Sequence, residues 1–112
     1  MIEQQIVALL TPLFGEAVYP LRAPANAPLP HAVYQVISDL PVASLKGRSG
    51  LNHYRVQISA WAKTYGAAVS ASADAMDALE RGQLRPVFTV HGDDIDDDTG
   101  HYRRIFDLSF RA

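Results

Sequence analysis

The chain contains no cysteine. That excludes disulfides, thiolate metal sites and cysteine nucleophiles, and it fits a reducing compartment. It has no excess of positive charge: ten Lys and Arg stand against twelve Asp and Glu, for a formal net charge of −2. A protein that coats nucleic acid by bulk attraction shows the opposite imbalance. Its longest apolar runs fall far short of the ~20 residues a membrane helix needs, so no membrane partner is expected. The opening MIEQQIVALLTPLF lacks a positive n-region and carries Glu3, which argues against a secretion signal. There is no Walker loop, no dinucleotide fingerprint and no G-x-S-x-G elbow. Ser49 sits in GRSG, a loop word. A KH module would need such a loop between two helices, and here it falls between two strands. An enzyme is therefore not expected, and no cofactor is implied.

What is present describes one domain, residues 1–112. Apolar residues make up 48% and charged residues 20%, as in ordinary globular chains. A chain of this size buries roughly 65% of its unfolded surface, enough for one core. Ile2, Ile6, Leu9, Leu10 and Leu13 recur at helical spacing, which predicts a helix from Ile2 to about Leu10. Pro12 should kink or end it, and Gly15 closes the segment. Glu16 to Tyr19 reads as a short strand. Pro20, Pro24, Pro28 and Pro30 then keep LRAPANAPLP out of regular pairing.

His31 to Leu40 alternates with apolar groups on both faces, so it reads as a covered strand. The following loop, PVASLKGRSG (41–50), carries Lys46 and Arg48. Leu51 to Ala62 is the clearest strand, with Tyr54, Val56, Ile58 and Ala60 on one face and His53, Arg55, Gln57, Ser59 and Trp61 on the other. Thr64 caps a second, Ala-rich helix running to about Arg81, ended by Gly82 and Pro86. Val87 to His91 and His101 to Phe110 are two more strands, joined by Gly92 to Gly100. The expected fold is α+β: an antiparallel sheet with two helices packed on one face and a long hairpin loop at 41–52.

Few residues suggest chemistry. The acidic run Asp93, Asp94, Asp96, Asp97, Asp98 offers hard oxygen ligands. It fails the EF-hand pattern, with no glycine at the sixth loop position and Arg104 where the bidentate glutamate belongs. A solvated hairpin tip is the plainer account, and a docking knob for a basic surface is an intermediate one. His91 and His101 flank the run, and an aligned register would let them bind a metal with an aspartate. A small metal- or ligand-binding α+β domain using His91, His101 and the 93–98 aspartates is thus the alternative function. Trp61 either finishes the core or anchors an interface, and the core account is preferred. Lys46, Gly47, Arg48, Ser49 and Gly50 are the chosen contact residues, because a loop this polar can order against a neighbour. The five aspartates form a second interaction patch.

Four segments, taken in order, carry a resemblance: VYPLRAP (18–24), PLPHAVYQVIS (28–38), GLNHYRVQISAWAKTY (50–65) and AMDALE (75–80). Together they resemble the small tail-completion proteins of tailed phages, the group that includes tail-terminator or tail-to-head joining proteins. The likeness covers roughly residues 2–80, and the acidic run lies outside it. It implies an α+β subunit that assembles as a ring, commonly a hexamer, on the head-proximal end of the tail tube. Such a ring stops tube growth and presents a surface to the head connector, or stopper. The implied partners are copies of itself, the tail-tube protein and the connector, with DNA only as passing cargo. The implied location is the virion, with the host cytoplasm during assembly and a prophage as the gene's setting. No catalytic residue is defined for such proteins.

Overall fold

A computed structural model describes residues 2–44 and 47–112. In chain order the elements are α1 (Ile2–Phe14), β1 (Val18–Pro20), β2 (His31–Ser44), β3 (Gly47–Ala62), α2 (Tyr65–Glu80), β4 (Val87–Ile95) and β5 (Tyr102–Arg111). The strands form one sheet in the order β1-β2-β3-β5-β4. Its pairings are antiparallel except for β1 with β2, which run parallel. The fold is α+β, as expected, and mostly antiparallel.

One face of the sheet is apolar because alternate residues of each strand point the same way. Val56 and Ile58 of β3 lie opposite Leu108 and Phe106 of β5, and all four are fully buried. Tyr54 stacks on Phe110 with centroids 5.4 Å apart, and Phe88 meets Phe106 edge-on at 6.0 Å. Both helices cover this face. Ile2, Ile6, Leu10 and Phe14 recur every fourth residue and form the buried stripe of α1. The buried stripe of α2 is Ala68, Ser72, Ala75, Ala78 and Leu79. Its small side chains let the helix approach closely, and the buried Ser72 hydroxyl donates to the Val69 carbonyl at 2.8 Å. Thr64 caps α2 by accepting from the Ala67 N–H at 3.2 Å.

Several boundaries differ from the sequence expectation. The first helix continues through Pro12 to Phe14. The proline lies in its last turn, where the Ala8 carbonyl it strands is on an exposed residue, and the Thr11 hydroxyl donates to the Val7 carbonyl at 2.7 Å. Gly15, with φ of 62°, ends the helix. β2 carries a bulge between Val36 and Ser38, so Ser38 falls opposite Arg55 rather than on the core side. One extra residue reverses the alternation from there on. Gly82 does not adopt a left-handed cap; a Cβ there would lie 2.8 Å from Leu9 Cδ1, so the glycine serves the contact between α1 and the end of α2.

The proline-rich segment 21–30 is the crossover that parallel pairing of β1 and β2 demands. Leu21 N–H donates to the Tyr34 carbonyl at 2.8 Å and starts its path over the helix-free face.

Candidate functional site

The expected long loop at 41–52 is replaced by paired strand. β2 runs to Ser44 and β3 starts at Gly47, with Pro41 opposite Asn52, Ala43 opposite Arg48 and Ser44 opposite Gly47. Polarity predicts a loop only where a strand must bury one face. Strand pairing through the backbone alone requires no apolar alternation, so a paired segment can carry a loop-like sequence. The support of β5 ends where Ala112 and Asn52 exchange backbone bonds of 2.8 and 2.9 Å. Beyond that point β2 and β3 pair only with each other among the described residues. The ribbon stretches the molecule to 52 × 24 × 22 Å. The radius of gyration is 14.8 Å, against roughly 13 Å for a compact chain of this length.

Of the chosen contact residues, Gly47, Arg48, Ser49 and Gly50 therefore lie in β3, and Lys46 lies outside the described residues. Exposed apolar groups that sequence reasoning did not single out lie beside and at the base of the ribbon: Ile37 (44%) and Leu40 (59%) on β2, and Leu51 (45%) on β3. A free two-stranded ribbon is marginally stable in water by itself.

The acidic run is divided among three roles. β4 extends to Ile95, so Asp93 and Asp94 are strand residues rather than a solvated tip. Asp93 faces Arg104 and Asp94 faces Arg103 across the β4–β5 ladder. Arg104 donates to both Asp93 oxygens at 2.7 and 3.1 Å, and the Tyr65 hydroxyl donates at 2.8 Å. The hydrogen bond from Arg104, and then that from Tyr65, holds the Asp93 carboxyl below the usual range, while Asp93 in turn raises Arg104. The hydrogen bond from Arg103 lowers Asp94 in the same way. Asp96 folds the turn, its carboxylate accepting from Asp98 N–H at 2.9 Å. Asp97 and Asp98 remain exposed and make no ion pair among the described residues. A signal for this division was present, since both Asp–Arg pairs centre on the same turn.

The helix-free face carries a second polar network. Asp107, on β5, is buried, and one carboxylate oxygen takes Arg55 Nε at 2.6 Å and His91 Nε2 at 2.7 Å. Its other oxygen is buried without a partner among the described residues. Further along, the Arg103 guanidinium lies 4.9 Å from the Trp61 ring centroid. His31 lies beside the same indole at 6.2 Å. Trp61 is thus outside the hydrophobic core, on the face shared with Gln57 and Ser59. The crossover, this face and the β4–β5 turn bound a groove of about 360 Å³, lined in part by Arg22, His31, Trp61, His101 and Arg103.

The register does not bring His91 and His101 together. His91 is the bulged residue between Val90 (opposite Phe106) and Gly92 (opposite Ile105). From residue 105 to 101 along β5 is roughly 14 Å at 3.4 Å per residue. His91 is engaged by Asp107, and His101 borders the groove. Among the described residues no three His, Asp or Glu side chains form a metal cluster. The metal-binding alternative loses its geometry.

A sequence model of the family described as "Tail completion protein gp17" matches residues 4–112. Among solved structures, the chain is similar to one described as "Virion of native gene transfer agent (GTA) particle". That match has a TM-score of 0.57 at 20% identity and covers 97% of this chain and 91% of the other. At such identity the likeness speaks for the fold alone. The comparison with curated proteins returns no match.

Proposed function

We propose an assembly role for this chain, because it belongs to the tail completion protein gp17 family. It acts as a structural subunit rather than an enzyme, and it completes a phage-type tail. Copies form a ring on the end of the tail tube, stop its growth and offer a docking surface to the head connector. Its partners are other copies of itself, the tube protein and the connector, and DNA passes through the ring as cargo. Its destination is the virion, after assembly in the host cytoplasm from a prophage gene.

The observation that supports this reading is the ribbon. A closed ring needs head-to-tail contacts between different patches of each subunit. The ribbon provides a projecting element, with exposed Leu40 near its base, anchored to a two-layer core. Lys46, Gly47, Arg48, Ser49 and Gly50 are the contact residues we favour. The acidic patch is narrower than its sequence suggests. Asp93 and Asp94 are engaged by Arg104 and Arg103, and Asp96 by its turn, so Asp97 and Asp98 are the carboxylates left to meet a basic partner.

The test is to mix the purified protein with tail tubes and image their ends by negative stain. Capped ends and uniform tube lengths are expected. Tubes that elongate unchanged in its presence would sink the proposal. The paired change Lys46→Glu with Arg48→Glu should lower capping about tenfold or more, on the scale of a lost interfacial charge contact, with an unchanged melting temperature. Normal capping by that variant would remove the ribbon end from the interface.

A further inference from the structure

We propose that each copy docks its Leu21–Arg22 turn into the groove between α1 and α2 of a second copy, with Leu21 on the apolar wall and Arg22 against Asp74. The inference rests on the ring reading and names a contact that joins one subunit to the next.

Leu21 is the knob. It follows β1, stands 71% exposed and lies outside the hydrophobic core. Its φ is 64°, and the Arg22 N–H donates to the Pro20 carbonyl at 2.6 Å. That is a γ-turn of positive φ, the rare and strained form. Backbone strain of this kind gathers at functional positions. Folding alone gives no reason to put leucine there, since the side chain buries little and the backbone favours glycine. Prolines at 20 and 24 stiffen the chain on either side, so the turn is presented with little ordering cost.

The groove lies on the other side of the sheet. It holds about 220 Å³ between the end of α1 and the N-terminal part of α2. Leu13, Phe14, Ala67 and Ala71 line it, together with Asp74. Leu13 has the helical spacing of a core residue, yet it is exposed here. The Leu21–Arg22 turn borders the helix-free face instead, where it lines the groove beside Trp61.

Charge selects the occupant. α1 and α2 carry Glu3, Asp74, Asp77 and Glu80, and no Lys or Arg. Residues 17–38 carry Arg22 and no Asp or Glu. Arg22 and Asp74 are both exposed, and neither makes an ion pair among the described residues. An acidic helix layer repels a second helix layer and attracts this turn. One chain thus presents an apolar knob beside a free cation and an apolar groove beside a free carboxylate, which makes a second copy the occupant. The two halves lie on opposite faces of the sheet, so a pair of copies cannot exchange them reciprocally. The contact is head-to-tail and generates a ring when the rotation closes.

Arg22→Asp and Asp74→Arg test the pair, with capping of tail tubes read by negative stain. Each alone should keep the wild-type melting temperature and lower capping about tenfold, the scale of a reversed charge contact. Together in one chain they should restore it. Full capping by the single variants, or no recovery in the double variant, overturns the contact. Leu21→Gly relieves the turn, so its melting temperature should match or exceed that of wild type while capping falls. Full capping by Leu21→Gly also counts against the contact. Because the chain has no cysteine, introduced thiols react alone. Ala23→Cys copies and Ser70→Cys copies, which keep Arg22 and Asp74, are mixed, assembled on tubes and treated with a short bis-maleimide. A covalent dimer that neither variant forms by itself is expected. Rings visible by negative stain without that dimer overturn the contact and leave the ring reading standing. Tubes left uncapped by the wild-type protein overturn the ring reading, and this inference with it.

Discussion

His31 is buried between Tyr19 and Trp61, with Nδ1 3.0 Å from the Pro28 carbonyl. A carbonyl only accepts, so Nδ1 carries the hydrogen. Burial pushes the His31 pKa below its ordinary 6.5; the bond to Pro28 opposes this, and nearby His101 adds to it. The unfolded chain therefore binds a proton at His31 before the folded one does. Stability should be fully present above pH 6.5 and fall as pH drops below it, until the folded group also protonates. Urea titrations at pH 7.5 and 5.5 should show this loss, and His31→Gln should reduce it. Asp93 and Asp94 act in a lower window. Their folded pKa values are depressed, so their contribution is present above the ordinary 3.8 and disappears as pH falls below it. Both pairs are exposed, so this second step should shrink in high salt. Asp107→Ala removes a buried carboxylate from two donors that are themselves partly exposed. Arg55 and His91 can rehydrate, and the unpartnered oxygen is relieved. The expected cost is about 1.5 kcal/mol, the lower end for charged hydrogen bonds, read from the shift in urea midpoint.

Among the elements, the helices and the paired core strands β3 and β5 were legible because their periodicity reflects burial on one side. Val56 and Ile58 face Leu108 and Phe106 as alternation predicts. Boundaries were harder to see. Pro12 sits inside α1, because a proline in the last turn leaves one solvent-facing carbonyl unbonded. β4 runs four residues past His91, because Asp93 and Asp94 find arginines across the ladder and can stay extended. The bulge at residue 37 leaves no trace in hydropathy, yet it decides which side Ser38 and Leu40 face. Gly82 reads as a helix terminator in sequence and acts as a spacer in space. Gly82→Ala would place its Cβ 2.8 Å from the tip of Leu9. Leu9 can rotate aside, so the expected cost is about 1 kcal/mol, the mild end of overpacking, measurable by chemical denaturation. Phe106→Ala, in contrast, opens the centre of the core and should cost roughly 3–5 kcal/mol.

At the scale of the whole molecule, the sheet order places β1 and β4 at opposite ends and sends the β2–β3 ribbon beyond the helices. The molecule is thus asymmetric, with a compact end where both helices pack and an open end with one ribbon. A further expectation follows for solution behaviour. Substituting Leu40→Ser should leave the melting temperature within about 0.5 kcal/mol-equivalent of wild type, as for exposed sites, while weakening ring formation. A large loss of stability instead would mean that Leu40 packs within its own chain.

Composition and periodicity by themselves determined the α+β class, the two helices and the apolar face of β3 and β5. Those features follow from burial, which leaves a local pattern along the chain. The ordered segments from Val18 to Glu80 also carried the family resemblance. The tertiary structure alone decided the parallel pairing of β1 with β2, the ribbon in place of a loop, the arginine partners of Asp93 and Asp94, and the distance between His91 and His101. Each of these depends on register between segments far apart in the chain. Register is set by packing and bulges, which no single segment records.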